Sequence, residues 1–106
     1  MEEALELIQR ALEIDPWNGA YLDSLGWAYF RMGRFEEARE PLEAAARELP
    51  ADAVVLEHLG DLYERCGENE LAIFAWGQAL DNGSDNRTKI EAKIAPLAEP
   101  AGVDRR

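Results

Sequence analysis

The sequence predicts an all-α protein, a right-handed antiparallel solenoid of six helices stacked as pairs, and three observations support that fold class. The first is an internal period of thirty-four residues: Leu22, Leu25, Gly26 and Tyr29 return as Leu56, Leu59, Gly60 and Tyr63, and each copy is followed by a glycine, Gly33 or Gly67, and an alanine, Ala38 or Ala72. The second is apolar spacing of three and four residues, the period of a helix, broken only by short connections. The third is punctuation at the same interval, with Pro16 answered by Pro50. A repeated helix pair cannot bury its apolar face alone, so neighbouring pairs must stack into one core and function must be sought on the surface of that stack.

Helices are expected at about residues 2–14, 18–32, 35–48, 52–66, 69–81 and 86–95. In the first, Ala4, Leu5, Ile8, Ala11 and Leu12 share one face while Glu6 and Arg10 pair on the other. Asp15-Pro16 ends it, because the residue before proline avoids the helical region, and Asn18 is placed to cap the second helix. Pro50 and Asp52 repeat that device before the fourth. Gly33 and Gly67 are expected to supply the left-handed residue that closes the second and fourth helices. Gly26 and Gly60 lie inside those helices, where glycine costs about 1 kcal/mol against alanine. Their recurrence therefore predicts a close crossing, with Ala38 and Ala72 as the small surface opposite and Leu42 and Trp76 filling the groove one turn later.

Ala4, Ala38 and Ala72 keep the same interval, which makes residues 2–16 the second helix of a partial repeat, 17–50 and 51–84 full repeats, and 85–98 a capping helix, all in one domain spanning 1–106. In the cap, Ile90 and Ile94 are expected to turn inward over Leu59, Tyr63 and Trp76, leaving Arg87, Lys89, Glu91 and Lys93 in water. The chain opens in mid-repeat. Self-association through the terminal helices is therefore expected at the amino end, where Leu5, Ile8 and Leu12 lack an outer cover, more than at the sealed carboxyl end.

Composition narrows the function classes. With 47% hydrophobic residues, 106 residues suffice for a helical core of modest stability. Twenty-two acidic against eleven basic side chains give a net charge of -11, which repels nucleic-acid phosphate and anionic lipid and attracts basic partners. No apolar run approaches the roughly eighteen residues that span a bilayer, and the acidic start is unlike a secretory leader. One cysteine, Cys66, cannot form an internal disulfide and suits a reducing interior, so the default compartment is cytoplasmic.

Leu22, Leu25, Gly26, Tyr29, Ala38, Leu42, Ala45 and Pro50, answered by Leu56, Leu59, Gly60, Tyr63, Ala72, Trp76 and Ala79, resemble the tetratricopeptide repeat family. The resemblance covers residues 2–94 and implies a noncatalytic adaptor that holds a peptide or protein in a concave groove made mainly by the first helix of each pair. Carried onto this sequence, the groove positions are Ala20, Asp23, Trp27, Phe30 and Arg31, then Val54, Glu57, Asp61, Glu64 and Arg65. Of these, Asp23, Trp27, Phe30, Glu57, Asp61 and Glu64 are the candidate partner-binding residues: the two aromatics can share a face and the four carboxylates select against anions. Some family members clamp a partner's terminal carboxylate with lysine, arginine and asparagine on this surface. Here the matching positions hold Asp23, Trp27 and Asp61, so a basic or apolar segment fits better.

Enzyme chemistry finds little material. His58 and Cys66 are the sole residues of their types, and eight positions along one helix separate them by about 12 Å, too far for a nucleophile and base. His58 is expected as a partly exposed helix residue and Cys66 as an apolar filler, with no catalytic, cofactor or metal site. The carboxylates are spread over wet helix faces at salt-bridge spacings such as Glu43 with Arg47 and Asp61 with Arg65. The expected function is a protein-interaction module for a basic or apolar peptide. Its alternative is an assembly unit that stacks through its helical ends in a homo-oligomer or a longer repeat protein.

Overall fold

The computed structural model describes residues 2–98. Six helices follow one another: α1 (Glu2–Ile14), α2 (Gly19–Arg31), α3 (Phe35–Glu48), α4 (Ala53–Arg65), α5 (Asn69–Asp81) and α6 (Arg87–Ala98). Each packs chiefly on its sequence neighbours, with α2 also touching α4, so the molecule is a stack rather than a ball, 57 by 26 by 19 Å.

The helix ends explain the small departures from the expected bounds. Asn18 and Asp52 lie outside their helices as caps: the Asn18 side chain accepts from the Tyr21 N–H at 3.0 Å, and Asp52 accepts from Val54 and Val55 at 3.0 and 3.1 Å. At the carboxyl ends Gly33, Gly67 and Gly83 take φ of 77°, 78° and 81°. Each makes the same reverse turn: Arg34 donates to the Tyr29 carbonyl and Gly33 to Phe30, Glu68 to Tyr63 and Gly67 to Glu64, Ser84 to Ala79 and Gly83 to Leu80. Gly83 thus closes α5 as Gly33 and Gly67 close α2 and α4. Helix α6 runs through Pro96 to Ala98 instead of stopping near residue 95. The hydrogen bond that Pro96 cannot make would have gone to Ala92, whose exposure lets water serve its carbonyl.

The core corrects one expectation about the helix crossing. A Cβ on Gly26 would fall on the Leu42 side chain, 2.8 Å from its Cδ2, and one on Gly60 would fall on the Trp76 ring, 2.8 Å from Cγ. Large side chains, not Ala38 and Ala72, fill the glycine hollows. The alanines are fully buried beside them and let the backbones approach. Leu42, Leu62, Trp76 and Ile90 are the largest fully buried side chains, and Leu56, Leu59, Tyr63 and Ala79 close around them. Ile94 packs on the same cluster as expected.

Tyr63 joins this core to a polar edge. Its hydroxyl donates to Glu43 at 2.6 Å, and Arg39, over its ring at 5.7 Å, also meets Glu43 and Glu68. Glu43 thus turns to Arg39 and Tyr63 rather than to Arg47. Burial, then the hydrogen bond to Glu43 and that carboxylate's charge, raise the Tyr63 phenol well above its usual range.

Two outcomes test this packing. Gly26→Ala and Gly60→Ala should each destabilise by about 1–3 kcal/mol despite better helix propensity. Gly77→Ala, whose new Cβ meets nothing within 4 Å, should stabilise by up to about 1 kcal/mol. Chemical denaturation of the three variants measures both signs. In alkali, the unfolded chain releases the Tyr63 proton near pH 10 while the folded chain keeps it, so stability should fall as pH rises above about 10. Thermal melts of Tyr63→Phe across that range should show a shallower fall.

Candidate functional site

Helices α2 and α4 each open a helix pair, and α6 stands in register with them. Asn18, Asp52 and Asn86 stand at the same place in each, since their carbonyls accept from Leu22, Leu56 and Ile90 respectively. Side chains one repeat apart therefore face each other between adjacent first helices, and the candidate site is built from these encounters.

Between α2 and α4, His58 Nδ1 lies 2.9 and 3.1 Å from the two oxygens of Asp23. A carboxylate only accepts, so Nδ1 carries the proton. The same imidazole stacks on Trp27, centroids 3.8 Å apart, and Trp27 stacks on Phe30 at 4.4 Å and 9°. Phe35 meets Phe30 edge-on at 5.2 Å, and the Arg65 guanidinium sits over both phenyl rings, at 4.8 Å from Phe35 and 6.0 Å from Phe30. Offset stacks of this kind contribute about 0.5–1.5 kcal/mol each beyond their area. Trp27 is consequently half-buried in a column of rings, with Phe30 partly packed on the core.

Between α4 and α6 the staple is Lys93. Its ammonium donates to Asp61 Oδ1 at 2.8 Å and to Glu57 Oε2 at 3.4 Å and lies 5.6 Å from the Trp76 ring centroid. Asn86 adds a hydrogen bond to Glu57 at 3.0 Å, and the Trp76 indole donates to Asp61 at 3.1 Å. Burial works against the Lys93 charge, yet the Asp61 hydrogen bond and the Asp61 and Glu57 charges outweigh it and hold the pKa above the usual lysine value. Lys93 is therefore not left in water, and Asp61 pairs with it rather than with Arg65. Glu64 stays exposed.

The structure thus brings Asp23, Trp27 and Phe30 into one group with His58, and Glu57 and Asp61 into another with Lys93. Sequence reasoning missed His58 and Lys93 as members. A signal was present: each lies about one repeat length beyond the carboxylate that it meets, 35 residues for His58 and 36 for Lys93 from Glu57. Trp27 lines neither the cleft of Glu43, Arg47, Pro50 and Tyr63 nor that of Trp17, Leu22, Leu25 and Pro41. Among the described residues, no group of three or more His, Cys, Asp or Glu side chains is placed to hold a metal ion, and no helix is long and apolar enough to cross a membrane.

Stacked helix pairs with side-chain staples between successive first helices define a helical-repeat protein. The chain belongs to the tetratricopeptide repeat family, whose model matches residues 24–87. It is 40% identical over 102 residues to a TPR repeat-containing thioredoxin of Arabidopsis thaliana, covering 93% of this chain and 15% of that protein. A TPR repeat-containing protein of Pseudomonas aeruginosa is 41% identical over 59 residues, covering 56% of this chain and 10% of that protein. The chain thus spans only a small fraction of the length of these relatives. Among solved structures, the Yersinia enterocolitica type III secretion chaperone SycD, in complex with a peptide of the translocator YopD, superposes with a TM-score of 0.83 at 16% identity, covering 92% of this chain and 79% of that one.

The two groups differ from the free carboxylate in a measurable way. His58→Ala strands the largely buried Asp23 and uncovers Trp27, and should lower unfolding free energy by about 1–3 kcal/mol. Glu64→Ala should stay within about 0.5 kcal/mol of the parent. Urea denaturation of both variants makes the comparison.

Proposed function

We propose that this chain is a noncatalytic protein-interaction module that takes a basic or apolar peptide segment along the face of α2 and α4 marked by Asp23, Trp27, Phe30, Glu57, Asp61 and Glu64. The observation that carries the reading is the seating of Lys93: a primary ammonium fits between Glu57 and Asp61 against the Trp76 ring. Net charge of -11 draws basic segments toward the whole molecule. The Trp27 edge and Phe30 offer apolar area beside those charges, and Glu64 remains free to meet a cation. SycD, which shares the fold, holds a peptide of YopD in its complex, a precedent for this architecture as a peptide holder.

Assembly through helical ends is the second reading, and α1 favours it. Ala4 is exposed where its counterparts Ala38 and Ala72 are fully buried, and Leu7 is 65% exposed where its counterpart Pro41 is buried. That face matches the one by which α3 covers α2. Sedimentation of the chain against Leu7→Glu separates the readings, because an assembly unit dissociates in that variant and a monomeric peptide holder is unaffected.

Fluorescence or calorimetric titration with lysine-containing and acidic peptides tests the interaction reading. The basic peptide should bind more tightly and lose affinity as salt rises. Trp27→Ala should weaken it about tenfold or more, as loss of a buried aromatic anchor does. Glu64→Lys should weaken it without altering stability. Preference for the acidic peptide overturns the proposal.

A further inference from the structure

Helix α6 occupies the place of a first-type helix but is built unlike the other two. At the position of Gly26 and Gly60 it carries Ile94, so no helix can cross it as closely as α3 crosses α2 or α5 crosses α4. Among the described residues the main helix contact of α6 is with α5. Helix α4 buries Val55, Leu56, Leu59, Gly60, Leu62 and Tyr63, whereas α6 buries Ile90 alone, with Ile94 and Leu97 half-covered. What else holds it is polar: Lys93 to Glu57 and Asp61, Asn86 to Glu57, and Arg87 to the Leu80 carbonyl at 3.4 Å.

The lysines are distributed in a telling way. The chain has two, Lys89 and Lys93, and both lie on α6. Every other basic side chain is arginine or the single histidine, and among the described residues none of these reaches Glu57 or Asp61. Among the described residues, the one ammonium that enters the acidic face therefore arrives on a helix that, like α1, buries a single side chain fully. Behind that helix the connection Asn82-Gly83-Ser84-Asp85 includes a glycine at φ 81°, a short link on which α6 could swing while α5 keeps its closing turn.

We propose that α6 is an internal ligand: it fills a lysine-reading subsite formed by Glu57, Asp61 and Trp76, and a lysine-bearing amphipathic helical segment of a partner takes that subsite by displacing it. The inference rests on the interaction reading above and specifies its partner. The pattern to be matched is the one α6 presents inward, a lysine with apolar residues three before, one after and four after it, as Ile90, Ile94 and Leu97 stand to Lys93. Such a segment reproduces the ammonium contacts and the apolar stripe together, so exchange leaves neither Glu57 nor Asp61 unpaired. An acidic or lysine-free helix would leave both carboxylates facing each other, which opposes the exchange. Closure by α6 lowers the apparent affinity for the partner by the fraction of molecules in which the subsite is open.

The test uses the isotope-labelled chain of residues 1–106 and an unlabelled synthetic copy of residues 86–98, with the same peptide carrying Lys93→Gln as control. Amide hydrogen exchange is followed at residues 87–98 and in α4. The lysine peptide should bind and accelerate exchange across α6 at least about tenfold while α4 stays protected, and the glutamine peptide should do neither. In the chain, Lys93→Gln should weaken closure and raise affinity for the lysine peptide about tenfold. Binding that leaves α6 exchange unchanged overturns the internal-ligand proposal and leaves the interaction reading standing. Failure of the peptide to bind either the parent or the Lys93→Gln chain also overturns it. Lysine-peptide binding that opens α6 but is indifferent to Trp27→Ala would instead count against the α2 part of the proposed face. The exchange measurement on the parent chain needs no variant and so does not depend on how Lys93→Gln folds.

Discussion

Everything else in this stack follows from two hollows, at Gly26 and Gly60, into which Leu42 and Trp76 project. Without a Cβ at these points the paired helices approach until a large side chain of one touches the backbone of the other, and the fully buried Ala38 and Ala72 keep the approach uniform along the crossing. That fixes the rotation of α2 and α4 about their axes. Once fixed, Asp23 and Trp27 must face α4, and Glu57 and Asp61 must face α6. Functional geometry on the surface is thus set by sterics in the core, and glycine's cost in helix propensity is the price of it.

Electrostatics then decides which carboxylates are available. A net charge of -11 on a slender molecule favours its own expansion through like-charge repulsion. Where first helices meet, Asp23 is hydrogen-bonded by His58, and the repulsion between Glu57 and Asp61 is offset by Lys93. These contacts are largely buried, so salt screens them less than it screens Glu64. The groups that staple successive repeats are therefore also those of the face proposed to take a basic segment.

The fold was legible because its determinants are periodic and local. Capping by Asn18 and Asp52, reversal at Gly33 and Gly67, and the apolar stripes each follow from neighbours within a few residues. The site was legible only in part. Asp23, Trp27, Phe30, Glu57 and Asp61 do lie where first helices adjoin, but the partners that cover them come from one repeat further on, and helical periodicity does not say how far a neighbouring helix is rotated. Lys93 illustrates the point: the glycine position of α6 holds Ile94, so its facing residues need not be those of α2 or α4. The expected pairs of Asp61 with Arg65 and Glu43 with Arg47 went elsewhere because an interhelical partner lay nearer, and a helix-surface pair is worth only about 0.2–0.5 kcal/mol.

Trp76 links these levels. Leu42 fills its hollow with carbon and asks nothing more of its surroundings. Trp76 fills the equivalent hollow completely buried, yet brings an indole N–H that needs an acceptor. Asp61, the residue after Gly60, supplies it at 3.1 Å. At the equivalent position after Gly26 there is no such demand, and the chain places Trp27 there instead, free to stack on His58. The same Asp61 oxygen that receives the indole also receives Lys93. A choice made for volume in the core thereby orients a carboxylate, the carboxylate seats a lysine, and the lysine docks the last helix. The difference between the two repeats is a consequence of which side chain fills the glycine hollow: a leucine permits an aromatic column on the neighbouring face, and a tryptophan requires an acid there.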